Sequence, residues 1–413
     1  MRRVFFDHAS ATPIAPETLA EMLPFLKEEF GNPQSFHQYS TKAREAVAIA
    51  RERVANLINA PPESIIFTAS ASESNNLAIK GFALANRARG GHIIVSAIEH
   101  FSILEPLKTL KRLGFDYTLL PVDQFGMVDP AELERAIRPD TILVSIIHAN
   151  NEIGTVEPIK ELRTVCHHQG VLFHSDGTGA VGKIPVDVSE LGVDAYSFSA
   201  PSFYGPKGAA ALYLKPGKRI VPLIEGGIQE KGRRAGTENV PAIAGMGRAA
   251  VICREKVNEW SVRMSRLAKR IVAELPSKIE RIVFTGHLEK RLPGHVSMCV
   301  EFVEGEAMLL ALADDGIAAA SGSACTARTL KASHVLLALG LPHAIAQSSL
   351  VLTLGKDNTD GDVDYFLDRF PPIVERLRVF SPLYARYLKG ENPYRFKTGQ
   401  EVENTENNNQ EEV

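Results

Sequence analysis

The sequence is short of cysteine and tryptophan and has no long apolar run, and each shortage excludes a class of protein. Its four cysteines are far apart and form no Cys-x-x-Cys pair, so they predict neither a disulfide framework nor a self-contained zinc site. No apolar stretch approaches the roughly 20 residues that a membrane-spanning helix needs. Residues 1–7 include basic side chains but no sustained apolar segment, so we expect no signal peptide. Together these features predict a soluble protein of the reducing cytoplasm.

A strong charge of either sign is also missing. The formal net charge is -3 at pH 7, which favours neither nucleic acid nor an anionic membrane as a partner. Charged residues make up 23% of the chain and hydrophobic residues 45%, as in ordinary globular proteins. A chain of 413 residues can bury a large core, and its length predicts two or three domains.

The apolar pattern predicts strands that alternate with helices. Helical periodicity covers 16–30, 41–58 and later stretches such as 72–89 and 159–168. Short branched apolar runs predict strands over residues 64–68, 92–95, 117–121, 141–147, 171–174 and 195–199. This alternation is typical of an α/β fold with a mostly parallel sheet, in which ligands bind at the carboxyl ends of the strands.

The second half of the chain predicts a smaller α/β unit. A long helical segment from 238 to 278 leads into it, and it extends to about residue 388. Residues 398–413 are almost entirely polar, which predicts disorder. We therefore predict a large domain of residues 15–257, a small domain of residues 1–14 with 258–390, and a disordered tail of residues 391–413.

Residues 196–208 carry the most informative motif. They read YSFSAPSFYGPKG and follow the segment His174-Ser175-Asp176. This arrangement resembles the lysine-bearing segment SFSGHKxYGPKG of NifS/IscS-type cysteine desulfurases, which belong to the class V aminotransferase group of pyridoxal-phosphate (PLP) enzymes. The resemblance extends from Phe5 to Tyr384. It implies an α/β PLP-dependent transferase fold of type I, with a large domain, a smaller α/β domain and a homodimeric assembly.

The resemblance assigns three residues to the ring of the cofactor. His100 would stack on the ring and take part in catalysis, Asn151 would donate a hydrogen bond near the ring oxygen, and Asp176 would pair with the pyridinium nitrogen. An aspartate in that place keeps the ring protonated and able to withdraw electrons. Each assignment has an alternative. His100 could be a polar residue whose hydrogen bonds are made within the protein, with no contact to a cofactor, and residues 150–151 could form a turn held by asparagine side chains.

The phosphate of the cofactor would be held by a turn that opens a helix. Ala71 and Ser72 follow a predicted strand, and free amides at a helix start bind anions. The alternative is ordinary helix capping by Ser72 or Ser74. The resemblance adds Ser199 and, from across a dimer interface, Thr237 as further phosphate ligands.

The reactive groups of the family are absent from this sequence. Ser202 stands where the family has the lysine that binds PLP covalently, and Pro201 replaces a histidine. Gly179 replaces a glutamine near the ring oxygen, and Val351 replaces the arginine that holds the substrate carboxylate. PLP, if bound, is therefore expected to be noncovalent. Lys207 belongs to the GPKG block that the family keeps beside its catalytic lysine, so we expect it to point elsewhere.

A sulfur-carrying cysteine is kept. Residues 321–327 read SGSACTA and resemble the mobile loop on which the family forms a persulfide. Cys325 is thereby predicted to be catalytic, to hand sulfur to a U-type iron–sulfur scaffold, and to serve as a metal ligand for a shared [2Fe-2S] cluster. The alternative is an inert buried thiol, which is our interpretation of Cys166, Cys253 and Cys299. Residues 380–388 resemble the scaffold-docking region, although packing of a terminal helix fits them equally.

Two functions follow from this pattern. In the first, a degenerate cysteine desulfurase-like protein uses Cys325 in iron–sulfur cluster assembly but extracts no sulfur from L-cysteine. In the second, an active PLP-dependent cysteine desulfurase converts L-cysteine to L-alanine and an enzyme persulfide with the help of a substitute base.

Overall fold

The computed structural model describes residues 2–322 and 332–391. Its strands are β1 Val4–Phe5, β2 Ile65–Thr68, β3 His92–Ser96, β4 Asp116–Leu120, β5 Thr141–Ser145, β6 Leu172–Asp176, β7 Ala195–Ser199, β8 Ala210–Leu214, β9 Ile282–Phe284, β10 His295–Val300, β11 Ile317–Ala318 and β12 Ser349–Thr353. Its helices are α1 Pro16–Lys27, α2 Thr41–Leu57, α3 Ala71–Ala85, α4 Phe101–Arg112, α5 Pro130–Ala136, α6 Ile159–His168, α7 Val188–Leu191, α8 Val240–Glu274, α9 Gly305–Asp314, α10 His334–Ala338, α11 His343–Ala346, α12 Asp360–Val379 and α13 Pro382–Leu388.

A seven-stranded sheet forms the centre of the larger domain, in the order β2-β8-β7-β6-β5-β3-β4. Strands β4, β3, β5, β6 and β7 are parallel, whereas β8 is antiparallel to both of its neighbours. Most of these strands are buried along their whole length, because helices pack on both faces. Two apolar clusters fill the two faces, one including Phe173 and Phe198 and the other including Phe82 and Ile93.

The smaller domain has its own sheet and core. Strands β12-β10-β9 form an antiparallel sheet, and β1 pairs in parallel with β11. Helix α8 joins the two domains: Met264 packs in the core of the larger one, and Leu267 packs in the core of the smaller one. Val4 and Phe6 also belong to the smaller core.

The predicted fold class is confirmed: a mostly parallel sheet with helices, followed by a smaller α/β domain. The limits 15–257, 1–14 with 258–390 and 391–413 stay predictions, and residues 392–413 lie outside the described part of the chain. Several elements were not predicted, among them β8, β12 and α12. Strand β8 reads AALYL and is buried on both faces, so it shows no alternation of polar and apolar residues. Among residues 2–322 and 332–391, no helix has the length and apolar character required to cross a bilayer.

Candidate functional site

A cavity of about 390 Å³ lies at the carboxyl ends of the parallel strands, where the two domains meet. Five of the seven residues predicted to bind the cofactor line it: Ala71, Ser72, His100, Asn151 and Asp176. Three of the four positions that lost the reactive groups line it as well, namely Gly179, Ser202 and Val351, whereas Pro201 does not. The fold therefore brings most of the predicted site together around one cavity.

Asp176 ends strand β6 and is the central acceptor of the site. Its side chain is 2% exposed, its Oδ2 accepts from Asn75 Nδ2 at 2.7 Å, and its Oδ1 accepts from the Thr178 amide at 2.9 Å. No ion-pair partner for this carboxylate occurs within the described residues. Asn75 Oδ1 and Thr178 Oγ1, both on cavity-lining residues, are buried without a hydrogen-bond partner in the same part of the chain. A buried carboxylate flanked by unsatisfied polar atoms fits a cationic, hydrogen-bonding ligand group.

The N-terminus of α3 reaches the cavity beside this carboxylate. Ser70 caps the helix, because its Oγ accepts from the Glu73 amide at 3.1 Å. The alternative interpretation, capping by Ser72 or Ser74, is therefore wrong: Ser72 lines the cavity, and Ser74 Oγ bonds to Thr68 Oγ1 at 2.7 Å. The free amides and the positive end of a 15-residue helix suit a phosphate group.

His100 caps α4 and presents its ring to the cavity. Its Nδ1 accepts from the Ser102 amide at 3.1 Å, which places the proton of the neutral ring on Nε2. Ser102 Oγ lies 2.8 Å from the same Nδ1 and accepts from Asn75 Nδ2 at 2.8 Å. The ring of His100 and the carboxylate of Asp176 are thus held by one hydrogen-bond network.

The turn at residues 150–153 is held by Asn150. Its Oδ1 accepts from the amides of Glu152 at 2.8 Å and Ile153 at 3.0 Å. Asn150 therefore holds the turn through its side chain. Asn151 does not hold the turn in this way and lines the cavity.

Ser199 and Thr237 do not line the cavity of their own chain. Ser199 ends β7, and its Oγ lies 3.5 Å from Ser202 Oγ, so it stands directly behind the lining. Thr237 is exposed. Their assignment to the cofactor phosphate stays a prediction, and that of Thr237 depends on a second protomer.

Ser202 sits in a short turn that is anchored to the N-terminal segment. The carbonyl of Pro201 accepts from the amide and from Oγ1 of Thr12, at 2.9 and 2.8 Å. The Tyr204 amide donates to the same Oγ1 at 2.7 Å. Lys207 is exposed and is not part of the cavity wall. The turn thus presents a hydroxyl, and no amine, at residue 202.

The other two replacements fit their surroundings. A Cβ atom at Gly179 would lie 2.4 Å from the carbonyl oxygen of Ala149, so the backbone at this position leaves no room for a side chain. Val351 is buried on β12 and lines the cavity with an apolar side chain. Neither position can supply the polar contact that the resemblance assigns to it.

Five titratable residues of the cavity wall were missed by sequence reasoning: Asp7, His8, Glu152, Lys183 and His295. Burial raises the pKa of Glu152 to about 7, and burial lowers the pKa of Lys183 to about 8. Burial also lowers the pKa of His8 to about 4 and that of His295 to about 3. The sequence offered only one sign that Glu152 and Lys183 belong to the site, namely their closeness to predicted site residues. Glu152 is next to Asn151, and Lys183 lies in the loop that follows Asp176 at the end of β6.

Cys325 lies outside the described residues, so its roles in catalysis and metal binding stay predictions. Cys166, Cys253 and Cys299 are buried, and burial raises the pKa of each thiol to about 12, which makes all three inert at neutral pH. Within residues 2–322 and 332–391, no group of three or more His, Cys, Asp or Glu side chains is arranged to hold a metal ion.

The C-terminal segment divides into packed and exposed parts. Tyr384 and Tyr387 of α13 lie with ring centroids 5.6 and 5.1 Å from that of Phe302, so these two aromatic side chains hold the helix on the smaller domain. Val379 and Phe380 are 77% and 80% exposed. Helix packing therefore explains the tyrosines, whereas exposed apolar side chains beside them are available to a partner.

Comparison with known proteins agrees with this geometry. The family model described as Aminotransferase class-V matches residues 4–366. The chain is 48% identical over 382 residues to "Cysteine desulfurase IscS 1" of Archaeoglobus fulgidus, covering 92% of this chain and 100% of that protein. It is 46% identical to "Cysteine desulfurase IscS" of Dictyoglomus turgidum, covering 92% and 97%.

Solved structures give the same result. A structure titled "NIFS-LIKE PROTEIN" superposes with a TM-score of 0.86 at 37% identity, covering 91% of this chain and 100% of the other. The NifS-like protein from Rickettsia africae superposes with a TM-score of 0.82 at 30% identity, with the same coverage. The chain belongs to the class V aminotransferase family, among the relatives of the IscS and NifS cysteine desulfurases.

Proposed function

We propose that this protein binds PLP noncovalently and acts in sulfur transfer for iron–sulfur cluster assembly, without extracting sulfur from L-cysteine itself. One observation carries this proposal. The cavity keeps a buried carboxylate and a helix N-terminus suited to PLP, but presents the hydroxyl of Ser202 where the family presents an amine.

The residues present fit the cofactor. The amides at Ala71 and Ser72 would hold its phosphate, and Asp176 would accept a hydrogen bond from the protonated ring nitrogen. His100 would lie against the ring, and Asn151 would donate to the ring oxygen. When bound, PLP supplies an electron-withdrawing ring.

The cavity lacks the groups that sulfur extraction requires. The hydroxyl of Ser202 cannot form a carbon–nitrogen double bond with an aldehyde, and it cannot act as the amine base that moves the Cα proton. Val351 offers no charge to a substrate carboxylate, and a missing charged hydrogen bond of this kind costs about 1.5–3 kcal/mol. Sulfur would therefore have to come from another source, as sulfide for a shared cluster or as a donor persulfide for transfer through Cys325.

Delivery of sulfur is assigned to Cys325. In this proposal the Cys325 thiolate accepts the outer sulfur of a donor persulfide, which leaves as a thiolate, and passes that sulfur to a U-type scaffold protein that docks near residues 380–388; alternatively, Cys325 shares a [2Fe-2S] cluster with that scaffold. The protein would act as a homodimer in the cytoplasm, with Thr237 of one protomer near the phosphate site of the other. The exposed apolar side chains of Val379 and Phe380 support a docking site there.

A second function is favoured by a different observation. Glu152 lines the cavity, and burial raises its pKa to about 7, which is the value best suited to a general base at neutral pH. The curated relatives are named cysteine desulfurases. An active enzyme would convert L-cysteine and the Cys325 thiol into L-alanine and a Cys325 persulfide, with Glu152 as the substitute base.

One experiment separates the two functions. The purified protein is incubated with PLP and dialysed with and without prior borohydride reduction, and the retained cofactor is located by peptide mass spectrometry. A second portion receives L-cysteine, and L-alanine is quantified. We expect PLP to bind, to leave on dialysis even after borohydride, and to support no L-alanine formation. Stoichiometric trapping on a lysine, or catalytic L-alanine formation, would favour the active enzyme; failure of PLP to bind would contradict both.

A further inference from the structure

Lys183 occupies a position in the cavity wall that the proposed function leaves unexplained. It lies in the loop after β6, where its amide donates to Ala180 O at 3.0 Å and its carbonyl accepts from Ser261 Oγ of α8. The preceding Gly182 has a φ of +89°, and a Cβ atom there would meet Phe203 Cβ at 2.5 Å. Tight backbone packing therefore fixes the point from which the Lys183 side chain starts.

The amine of Lys183 has no partner. Nζ is buried and makes neither a hydrogen bond nor an ion pair with any residue in the described ranges. Lys183 is also the single lysine or arginine that those ranges contribute to the cavity wall. A buried ammonium without a counter-ion is unfavourable by several kcal/mol. Such a group gains strongly from any anion that can reach it.

The three titratable groups on which the charge of Lys183 acts are uncharged at neutral pH. They are His8, His295 and Cys253, and burial, the largest influence on each, keeps both imidazoles and the thiol neutral. None of the three can neutralise an ammonium. The positive charge at this end of the cavity is therefore available to a ligand.

Lys183 and Val351 line the same cavity, and His8 and His295 link the two. His8 Nδ1 donates to the carbonyl of Thr353 at 3.0 Å, and His295 pairs with Thr353 in the β10–β12 sheet. Thr353 is two residues from Val351 on β12, so both side chains face the cavity. The charge of Lys183 thus acts on two side chains attached to the strand that carries the missing arginine position.

We propose that Lys183 binds the carboxylate of a small amino-acid ligand in this cavity, in place of the arginine that the family carries at residue 351. The proposal rests on the proposed function and deepens it, because it names the ligand class that shares the cavity with PLP. It requires no bond to form or break.

The test uses propionate as the probe, because it carries the carboxylate but no amine that could react with PLP, and uses propionamide as its uncharged analogue. Binding to the PLP-saturated protein is measured by calorimetry at pH 7. We expect propionate to bind at least about 10-fold more tightly than propionamide. Lys183→Met should weaken propionate binding roughly 10- to 100-fold and leave propionamide unchanged. Lys207→Met, which removes an exposed lysine outside the cavity, should change neither.

Proton uptake gives a readout that a structural role would not produce. Burial lowers the pKa of Lys183 to about 8, so at pH 8 a bound carboxylate should draw roughly half a proton onto the amine. Calorimetry of the unmodified protein in two buffers of different ionisation enthalpy measures this uptake and requires no variant. Absence of uptake, unchanged affinity in Lys183→Met, or equal binding of propionamide would each overturn the proposal.

Two further measurements show whether a loss of propionate binding comes from misfolding or from loss of PLP and not from loss of the Lys183 charge. Adding Val351→Arg to the Lys183→Met protein should restore propionate binding, and failure of this rescue in a folded, PLP-binding protein would count against a shared carboxylate site. PLP retention is measured separately by dialysis. Propionate binding that depends on Lys183 in a protein that does not bind PLP would support the anion site and contradict the proposed function.

Discussion

The role of Asp176 can be tested by replacing one oxygen with nitrogen. Asp176→Asn keeps the shape of a side chain that is 2% exposed and removes its charge. Asn75 can rotate its amide so that its unsatisfied Oδ1 accepts from the new donor, so we expect the fold to tolerate the change. A charged hydrogen bond to the ring nitrogen of PLP contributes about 1.5–3 kcal/mol, so its loss should weaken PLP binding roughly 10- to 150-fold.

Equilibrium dialysis with PLP measures this effect directly. Asp194→Asn is the matched control. Asp194 is also a buried carboxylate, 1% exposed, and pairs with Lys218 at 3.1 Å, but it lies immediately before β7, at the end of the parallel strands away from the cavity. The control should lose stability and keep its PLP affinity. Equal PLP affinity of the Asp176 variant and the unmodified protein, or equal loss in both variants, would refute the assignment of Asp176 to the cofactor.

Three further predictions concern the reactive groups and a buried carboxyl. Ser202→Lys should allow borohydride to fix PLP to residue 202 but give little L-alanine, because Val351 still lacks a charge; full turnover in this single variant, measured as L-alanine released, would contradict the role given to Val351. Cys325→Ala should abolish sulfur or cluster transfer to a U-type scaffold while leaving the melting temperature unchanged, and unaltered cluster assembly would remove Cys325 from the proposal. Burial raises the pKa of Glu157 to about 8 in the folded protein from an ordinary value of 4.5, so its stabilising contribution is complete below pH 4.5 and is lost as the pH rises through 8. Denaturant unfolding at pH 5 and pH 8 should show this loss, at most about 5 kcal/mol, in the unmodified protein and not in Glu157→Gln; equal pH dependence in both would mean that burial of Glu157 does not control it.

The sequence predicted the positions of side chains that follow strands. The resemblance assigned Asp176, His100 and Ala71 to one site, and the α/β pattern predicted that ligands bind at the carboxyl ends of the parallel strands, where these residues lie. Contacts between distant segments could not be predicted. Nothing in the pattern showed that Asn75 would reach Asp176 across 101 residues of chain, or that Thr12 would anchor the turn of Ser202.

The charged groups of the cavity were missed for a related physical reason. Glu152 lies beside two asparagines and Lys183 lies in the short apolar segment VGKIP, and neither context shows that tertiary packing removes water from the charged group. Gly179 shows the same limit. The sequence showed that glycine replaces a glutamine at this position. It did not show that the carbonyl of Ala149, which lies in another loop, leaves no room for a side chain there.

The structure separates cofactor binding from covalent chemistry. Asp176 and His100 are held by Asn75 and Ser102, whereas the turn that carries Ser202 is held by Thr12. These two sets of hydrogen bonds share no residue, so a change at residue 202 leaves the binding network intact. A protein can therefore lose the amine and keep the cavity, and restoring the amine tests the chemistry alone. Loss of PLP affinity in Ser202→Lys, measured by dialysis, would show instead that the two sets are coupled.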